Sequence, residues 1–398
     1  MLMRRMGLFL FIAVVLVGGI YAAESPNLEG KIRDRTDLSN MDLSGMNLSG
    51  VHLNQSDLHG SNLNGSDLKS AYLRSANLIG SHLNEANLSH ADLNGAVFTG
   101  ADLEGADLND ADLTYAQLSK AKLKGAHLGG ADLSNADISD SELINANLTG
   151  ARLFRTDLSG ANLKDIYLQS ANLMGAHVSW ADLSGSYLSR GQFTRAEFYG
   201  TNLNGSDLEE ADFTRSYLMR ADLTGANMRG ASLAYADMTE ANLVDASLNS
   251  AKLTYADLTG ANITGADLSD ADLSGVRMIR AKLQNAKFDR VTLRELDLRE
   301  DDMSGASFKR ANLIMDFMTN ANMSGADLSD ATLNQLEMTG VDLRGANLQH
   351  VTYDQFTLRS LAKAKLDGAK MSDNLKADLK AMSQNLDGHA NLTKPYVS

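Results

Sequence analysis

The chain has 398 residues, of which 43% are hydrophobic and 6% aromatic, with 33 Gly, 2 Pro and no Cys. The absence of cysteine excludes disulfides, thiolate metal sites, cysteine nucleophiles and a lipidated cysteine anchor. A formal net charge of −14, from 50 acidic and 36 basic residues, is unfavourable for a protein held on nucleic acid by phosphate contacts.

The first 23 residues have the layout of a secretory signal peptide. Arg4 and Arg5 form a basic start, residues 7–20 are an uncharged apolar run, and the small residues Ala22 and Ala23 follow. The run is shorter than the about 20 apolar residues that span a bilayer. We therefore expect a periplasmic or secreted protein without a membrane span in its mature form. An uncleaved membrane anchor is the alternative.

One five-residue repeat occupies most of the remaining chain. From Leu38 to Leu358 every fifth residue is large and apolar, which gives 65 consecutive positions, and Leu fills 48 of them. The position two residues earlier is Ala at 40 of the 65 sites, and the residue between them is usually Asp or Asn, as in Ala101-Asp102-Leu103. A period of five matches neither an α-helix, at about 3.6 residues, nor a β-strand, at about two. The chain must therefore turn once per unit with Ala and Leu inward, which builds a coil that stacks on itself.

The spacing of glycine predicts how many units make one coil. In the column that runs every 20 residues from Gly45 to Gly345, glycine fills 11 of 16 places. In the column from Gly50 to His350 it fills 4 of 16. A strict five-residue repeat would give no such difference, so four units per coil are predicted. Glycine is expected to accommodate the turn or close packing at one corner.

The tandem Ala-(Asp/Asn)-Leu-x-x register resembles the pentapeptide-repeat family. The resemblance covers residues 36–360 and implies an all-β fold, a right-handed quadrilateral β-helix (a solenoid) with four units per coil and about 16 coils. On this interpretation residues 1–23 are a signal peptide and residues 24–35 are an N-terminal cap or linker. Residues 361–398 are a C-terminal helical cap and tail.

A helix is predicted after the repeats, starting at Ser372 or Asp373. An apolar stripe recurs on one face of it, at Leu375, Leu379, Met382 and Leu386. Such a stripe is typical of a cap that packs on the last coil of a solenoid. The resemblance implies an alternative, in which the C-terminal helix mediates a homodimer contact.

One column of inward positions departs from the small residues found elsewhere. It consists of Val276, Leu296, Asp316, Leu336 and Phe356. These larger residues should widen or distort one wall. Asp316 and Asp301 place carboxylates in Ala positions, and burial of an unpaired carboxylate is costly. We expect a local bulge that lets both reach water. The alternatives are a partly buried functional acid and, as a minor hypothesis, an unrecognised hydrolase.

The outward residue of each unit is often acidic, and these residues recur one coil apart. One column contains Asp37, Asp57, Asp137, Asp157, Asp237, Asp257 and Asp297, with Glu197 and Glu337. The first interpretation is that Asp is the solvated, turn-compatible choice at this position. A cation site on the short ladder of Asp92, Asp112 and Asp132 is a minor alternative.

The resemblance implies a further interpretation of the acidic surface. Several quinolone-resistance members of the family are thought to mimic nucleic acid and bind DNA gyrase. The predicted signal peptide opposes this function here, because gyrase is cytoplasmic. Family members that protect topoisomerases also rely on projecting loops, whereas the register of this chain is unbroken from Leu38 to Leu358.

Aromatic and arginine side chains gather at outward positions between residues 150 and 260. The candidate partner-binding residues are Phe154, Arg155, Tyr167, Trp180, Tyr187, Arg190, Arg195, Arg215, Tyr217, Arg220, Tyr235 and Tyr255. Trp, Tyr and Arg are enriched in the hot spots of protein interfaces. The alternative is that these side chains only stack on one another between coils.

No pattern supports catalysis. No two of the eight His residues lie one coil apart in a 20-residue column, and they show no metal-ligand spacing. No Ser–His–acid arrangement or phosphate-binding loop is apparent. The sequence therefore predicts a protein with no catalytic residues, metal or cofactor. We expect an exported binding or scaffolding surface for an unknown protein partner, without direct nucleic-acid binding.

Overall fold

A computed structural model of the chain describes residues 32–390, with side chains described as far as Met382. The predicted signal peptide and residues 24–31 of the predicted N-terminal cap lie outside the described residues. The chain divides into two compact units, Met1–Asn202 and Leu203–Ser398. No helix between residues 32 and 390 is both long and apolar enough to cross a membrane.

In the first unit every five-residue segment has the same backbone, a short extended piece followed by a two-residue turn. The outward residue of each segment pairs in parallel with the residue 20 positions later, beginning with Asp37 and Asp57. The Leu38 N–H donates to the Asp57 carbonyl (2.7 Å), and the Asp57 N–H donates to the Thr36 carbonyl (3.0 Å). A constant offset of 20 residues means four units per coil, which confirms the prediction from glycine spacing.

Small and large side chains alternate in the core of each coil. Ala101 and Leu103 are fully buried, and so are nearly all their equivalents in both units. At most inward positions where Ser or Thr replaces Ala, its hydroxyl has a backbone acceptor. Ser61 donates to the Leu58 carbonyl (2.7 Å) and Thr156 to the Leu133 carbonyl (2.7 Å). The buried polar atoms are thereby satisfied, so either residue type fits the same column.

The last residue of each unit has a left-handed backbone conformation, whether or not it is glycine. Gly45 has φ +63°, Asn40 has φ +57° and Trp180 has φ +63°. A Cβ added at Gly45 would meet no atom within 4 Å, so close packing does not require glycine there. The left-handed turn is common to all four corners. Glycine thus accommodates the turn at its corner, as predicted, but not close packing at Gly45, and the same turn recurs at the other three corners. The coil length derived from the glycine column is correct.

The second unit starts with the same regular coils and contains all the named strands and helices. The strands are β1 (Thr292–Arg294), β2 (Asn312–Ile314), β3 (Thr332–Asn334), β4 (Asn347–Leu348), β5 (Thr352–Tyr353) and β6 (Lys370–Met371). Strands β1, β2, β3 and β5 form a parallel sheet in that order, with Leu293 opposite Leu313. Strand β4 pairs in parallel with β6.

A short helix interrupts the repeat near its C-terminal end. Helix α1 (Gln355–Leu361) begins after Asp354, whose side chain accepts the Thr357 N–H (2.7 Å). The helix closes the last distorted corner, because the Leu336 N–H donates to the Thr357 hydroxyl (3.0 Å) and Ser360 Oγ donates to the Leu336 carbonyl (2.7 Å). Phe356, predicted to point inward, is exposed in the first turn of this helix.

Strand pairing resumes after α1 with an offset of 23 residues instead of 20. Asp342 pairs with Lys365, and Asn347 pairs with Lys370. Residues 364–373 therefore form two further five-residue units, shifted in phase by the helix. They lie in the range for which the sequence predicted only a helical cap and tail.

Helix α2 (Asp373–Ala390) follows directly and begins where the sequence predicted a helix start. Leu375 is buried, and Leu379 and Met382 are half-buried. The helix contacts α1, and the Tyr353 hydroxyl donates to Asp378 Oδ2 (2.7 Å). This part of the apolar stripe packs on the end of the second unit. The side chain of Leu386 lies outside the described residues, and a dimer contact stays a prediction.

Candidate functional site

The predicted partner-binding residues are divided between the two units. The first unit holds Phe154, Arg155, Tyr167, Trp180, Tyr187, Arg190 and Arg195. The second unit holds Arg215, Tyr217, Arg220, Tyr235 and Tyr255. Eight of these twelve lie at corner positions with positive φ, namely Arg155, Trp180, Arg190, Arg195, Arg215, Arg220, Tyr235 and Tyr255. A left-handed residue other than glycine costs roughly 1–2 kcal/mol.

Trp180 is the most prominent aromatic side chain of the first unit. It is 64% exposed, and its ring carbons come within 2.5 Å of the position that a Cβ would take at Gly200. The ring therefore lies over the bare backbone of Gly200, one coil further on. Tyr199 packs against it edge-on, with 5.0 Å between ring centroids and an interplanar angle of 80°. The indole is thus held in place while much of it faces solvent.

Other candidates of the first unit form smaller contacts on neighbouring walls. Tyr167 and Tyr187 stack with 4.9 Å between centroids and an interplanar angle of 9°. The guanidinium of Arg155 lies 5.0 Å from the ring centroid of Phe154. Stacked tyrosines cover each other's faces, so this pair offers its ring edges and hydroxyls to a partner rather than a flat surface.

In the second unit the sequence-predicted column forms one continuous stack. The Arg215 guanidinium lies 5.5 Å from the ring centroid of Tyr235, which stacks on Tyr255 at 5.3 Å. Tyr255 in turn lies over Gly275, where an added Cβ would come within 2.5 Å of the ring. Self-stacking is therefore present, but Tyr235 and Tyr255 remain exposed at their outer edges.

Two candidates of the second unit lie outside the stack. Arg220 Nε donates to Glu240 Oε2 (2.7 Å), so its charge is paired one coil away. Tyr217 is exposed on its wall. Sequence reasoning missed a further exposed pair in the first unit, His52 stacked on Tyr72 at 4.5 Å. The 20-residue spacing of these two rings was a signal that could have identified them.

The acidic rows have a structural role within each unit. The Ser139 N–H (3.0 Å) and hydroxyl (2.6 Å) both donate to Asp137 Oδ1, and the same arrangement recurs along the repeats. The hydroxyl and N–H of Ser274 donate to the Asp272 carboxylate in the same way, and these bonds hold the pKa of Asp272 below its usual value. The outward Asp thus bridges the turn that follows it, as the first interpretation predicts.

Cations one coil away neutralise part of the acidic surface. Examples are Arg152 with Asp132 (3.5 Å), Arg220 with Glu240 (2.7 Å) and Arg277 with Asp257 (3.4 Å). Arg74 binds Asp92, which removes a member of the candidate cation ladder. Among the described residues, no group of three or more His, Asp or Glu side chains is placed to hold a metal ion.

Asp316 is buried rather than solvated. It is 1% exposed and accepts the N–H groups of Leu296 (2.9 Å) and Ile314 (3.1 Å). Burial raises the pKa of its carboxyl to about 7. The expectation of a bulge that brings Asp316 to water is therefore wrong. In the regular coils the N–H at this corner donates to the preceding Leu carbonyl, whereas here the corner is opened and the carboxyl takes over as acceptor.

Asp301 is half-buried, and its Oδ2 is enclosed without a hydrogen-bond partner in the described structure. Burial, reinforced by the nearby Asp297 carboxylate, raises the pKa of Asp301 to about 6. No nucleophile or base contacts either acid in the described residues, so the geometry does not assemble a hydrolytic site around them.

Parallel pairing at a constant 20-residue offset, around stacked Leu and Ala, defines this protein as a repeat-built β-helix. Successive segments match the family model described as pentapeptide repeats, at residues 34–69, 71–110, 111–150, 151–190, 192–230, 241–278, 256–294, 277–313 and 318–352. The chain therefore belongs to the pentapeptide-repeat family. Its members form right-handed quadrilateral β-helices, which confirms the predicted fold class; the number of coils stays a prediction.

Solved structures of the same family are similar at low identity. A trypsin-treated variant of QnrB1, a plasmid-mediated fluoroquinolone resistance protein, is 17% identical over 52% of this chain and 95% of its own, with a TM-score of 0.33. HetL, a pentapeptide repeat protein involved in heterocyst differentiation regulation in the cyanobacterium Nostoc, is 27% identical over 64% of this chain and 89% of its own, with a TM-score of 0.19. No curated protein matches the chain. Membership rests on the family model and not on these structures.

Proposed function

We propose that this protein is an exported, non-enzymatic pentapeptide-repeat protein that binds a partner protein through exposed aromatic and arginine corners. The observation that carries the proposal is Trp180, the single Trp of the chain, which is 64% exposed and seated on Gly200. Trp is the residue type most enriched at the centres of protein interfaces, and an exposed indole held in a fixed position favours contact with another molecule.

The corner geometry favours binding because the side chains are already ordered. Trp180 is fixed between the Gly200 backbone and the edge of Tyr199, so little rotamer entropy remains to be lost in a complex. The Arg215–Tyr235–Tyr255 stack of the second unit is ordered in the same way. Rigid aromatic and arginine anchors are the typical centres of protein interfaces.

Cross-linking in the native cell tests the binding surface. A photoreactive residue placed next to the indole, at Ser179, should form a specific adduct that Trp180→Ala abolishes. Tyr115→Ala provides the matched control, because Tyr115 is also an exposed aromatic at a left-handed corner. An adduct that survives Trp180→Ala, or that Tyr115→Ala removes equally, would contradict the proposal.

Export is a separate part of the proposal and rests on the sequence of residues 1–23 alone. N-terminal sequencing of the native protein, with cell fractionation, decides it. A mature chain that starts near Ala23 or Glu24 outside the cytoplasm supports export. A cytosolic chain that retains Met1 removes it, and an intact chain in the membrane fraction indicates an anchor.

The alternative function is a negatively charged mimic that binds a DNA-handling protein such as DNA gyrase. The net charge of −14 favours it. The ion pairs between coils weaken it, because Asp132 and Asp257 each face an arginine within 4 Å. Inhibition of gyrase supercoiling by the chain without residues 1–23 would support the mimic. Absence of inhibition together with the Trp180-dependent adduct would support the partner surface.

A further inference from the structure

A cleft opens between two successive coils of the second unit. It has a volume of about 580 Å³ and lies between residues 279–284, here called the lower lip, and residues 297–302, the upper lip. The bridges expected between Arg277 and Asp297 and between Lys282 and Asp302 are absent from this described part of the chain. The next wall stays closed, since Lys287 pairs with Ser307.

Both lips carry backbone groups that are paired elsewhere in the same unit. One coil earlier, the Leu258 N–H donates to the Arg277 carbonyl (2.7 Å) and the Ile263 N–H to the Lys282 carbonyl (2.9 Å). The equivalent donors beside the lower lip are the N–H groups of Met278 and Leu283. On the upper lip the N–H groups of Asp297 and Asp302 correspond to those of Arg277 and Lys282, which donate to the Ala256 (3.0 Å) and Ala261 (2.9 Å) carbonyls. None of the four N–H groups at the two lips has a backbone acceptor in the described residues. The cleft therefore presents two open β-edges, which are templates for an added strand.

The positive charges of the lower lip also have no partner within the described residues. Arg280 and Lys282 form no ion pair or side-chain hydrogen bond within the described residues, although both line the cleft. By contrast, Lys287 on the closed wall is paired with Asp267 (3.4 Å). Two free cations beside open N–H groups favour an occupant that carries an acidic side chain.

The upper lip offers different chemistry. Arg299 is occupied by Asp297, with Nε and Nη2 contacts of 2.7 and 2.6 Å, and Asp302 accepts from Gln284 Nε2 (3.1 Å). Glu300, which lies one coil above Arg280, forms no ion pair in the described structure, and the enclosed Oδ2 of Asp301 lacks a donor. An occupant that brings N–H or O–H donors to this lip would satisfy both acids.

We propose that this cleft binds an extended peptide segment of a partner protein, which pairs with the open backbone edges and sets an acidic side chain against Arg280 and Lys282. Backbone pairing supplies affinity in such strand addition, and side chains supply selectivity. The site is separate from the aromatic corners and does not depend on them. It therefore adds a second mode of protein binding on the second unit.

The test uses the purified full chain and the peptide acetyl-Val-Glu-Thr-Glu-Val-amide as the probe, titrated by calorimetry. Binding is expected, and Lys282→Glu should weaken it at least about tenfold, because a charge-assisted contact is replaced by repulsion. Lys287→Glu is the matched control: it makes the same change of charge in the same coil but on the closed wall. Both lysines are solvent-facing, so neither variant threatens folding.

Two further measurements separate strand pairing from charge attraction alone. A probe methylated at its central amide nitrogens keeps both Glu side chains but loses backbone donors, and it should bind at least about tenfold more weakly. Hydrogen exchange at Met278 and Asp297 should slow when the unmodified probe binds. The proposal is overturned by no binding at millimolar probe, by equal affinity of Lys282→Glu, or by equal affinity of the methylated probe.

Discussion

Two neighbouring stretches of the second unit obey the same five-residue rule and fold differently. Between residues 207 and 268 every inward small position is Ala or Ser, and each coil is bonded to the next on all four walls. Between residues 291 and 302 three successive small positions are Val291, Leu296 and Asp301, and the coils separate. The large positions are filled by buried apolar side chains in both stretches, so the difference between the two stretches lies in the small positions.

A single large residue at a small position does not open a coil. Ile166 occupies one in the first unit, yet its N–H still donates to the Leu163 carbonyl (3.2 Å), and the Tyr167 and Tyr187 bridge is intact. Three enlarged corners in succession also occur in the first unit, at Met41, Met46 and Val51, and that coil keeps its bridges to the following coil. The comparison therefore links the separation to Val291, Leu296 and Asp301 packed against the coil before them, and not to bulk alone.

The largest expected difference between the two stretches is in hydrogen exchange. The amides of Leu258 and Ile263 are bonded to the next coil, whereas those of Met278 and Leu283, one coil later in the same columns, are not. The first pair should exchange only on unfolding of the unit, so the rates should differ by several powers of ten. Site-resolved exchange by NMR measures this directly. Similar rates at the two pairs would mean that the cleft closes in solution.

Placing the irregular residue in the regular stretch should be strongly destabilising. Ala256 occupies the same column as Asp316, but the Ala236 N–H one coil below is already donated to the Leu233 carbonyl (3.0 Å). Ala256→Asp would bury a carboxylate without free donors and should lower the unfolding free energy by about 3–5 kcal/mol. Urea unfolding measures the loss. Ala256→Ser is the control and should be nearly neutral, because Ser216 in that column bonds the Phe213 carbonyl (2.7 Å).

The sequence was sufficient to predict the regular coil but not the places where the coil is interrupted. The coil, its length and the start of α2 follow from local periodicity, which a solenoid satisfies between nearest neighbours. The cleft depends on how three enlarged corners of one coil pack against the preceding coil. The five-residue pattern does not show whether two particular coils will stay in contact. Helix α1 was missed because Tyr353 and Leu358 keep the five-residue phase through it. The units after it were missed because the helix shifts that phase by three residues.

The sequence identified which residues form the candidate site but not how their side chains are arranged. Column membership placed Arg215, Tyr235 and Tyr255 in one stack, which the structure contains. It could not show that corner side chains lean toward the following coil, so that Trp180 covers Gly200. The five-residue pattern also could not predict that Asp316 is buried. The two backbone N–H groups that bind its carboxylate become available only because the corner opens.

Near neutral pH, only the carboxyls with raised pKa should make the stability depend on pH. The folded pKa of Asp316 is about 7, well above the value of 3.8 for an unperturbed Asp. The folded chain then binds more protons than the unfolded chain between these values, so stability should fall as pH rises from 5 to 8. The contribution approaches about 1.4 kcal/mol per pH unit below pH 7. Asp301, at about 6, contributes with the same sign.

Asp316→Asn isolates this effect in urea unfolding measured from pH 5 to pH 8. The variant should be less stable at pH 5, because an amide accepts only one of the two N–H groups, but its stability should vary less with pH. Carboxyls with lowered pKa, such as Asp272, are ionised in both states across this range and leave the slope unchanged. An unaltered slope in the variant would show that Asp316 does not titrate near neutrality.

The smallest expected effect is the difference in stability between alanine substitutions at two glycine corners that share the same left-handed backbone. Gly275 has φ +66° and lies under the Tyr255 ring, whereas Gly325 has φ +70° and an added Cβ there would meet no atom within 4 Å. Gly325→Ala should cost only the backbone strain, roughly 1 kcal/mol. Gly275→Ala should cost about 0.5–1.5 kcal/mol more, because Tyr255 must leave its stack with Tyr235.

The two glycine variants are compared by urea unfolding on the same preparation. Tyr255→Ala in the Gly275→Ala background supplies the missing control: with the ring removed, the added methyl has nothing to displace. The double variant should lose the extra cost of Gly275→Ala relative to Tyr255→Ala alone and retain only the strain seen at Gly325. If the extra cost persists without the ring, the corner at Gly275 resists side chains for a reason in its backbone. The stack on the second unit would then be a consequence of that corner and not a surface kept for a partner.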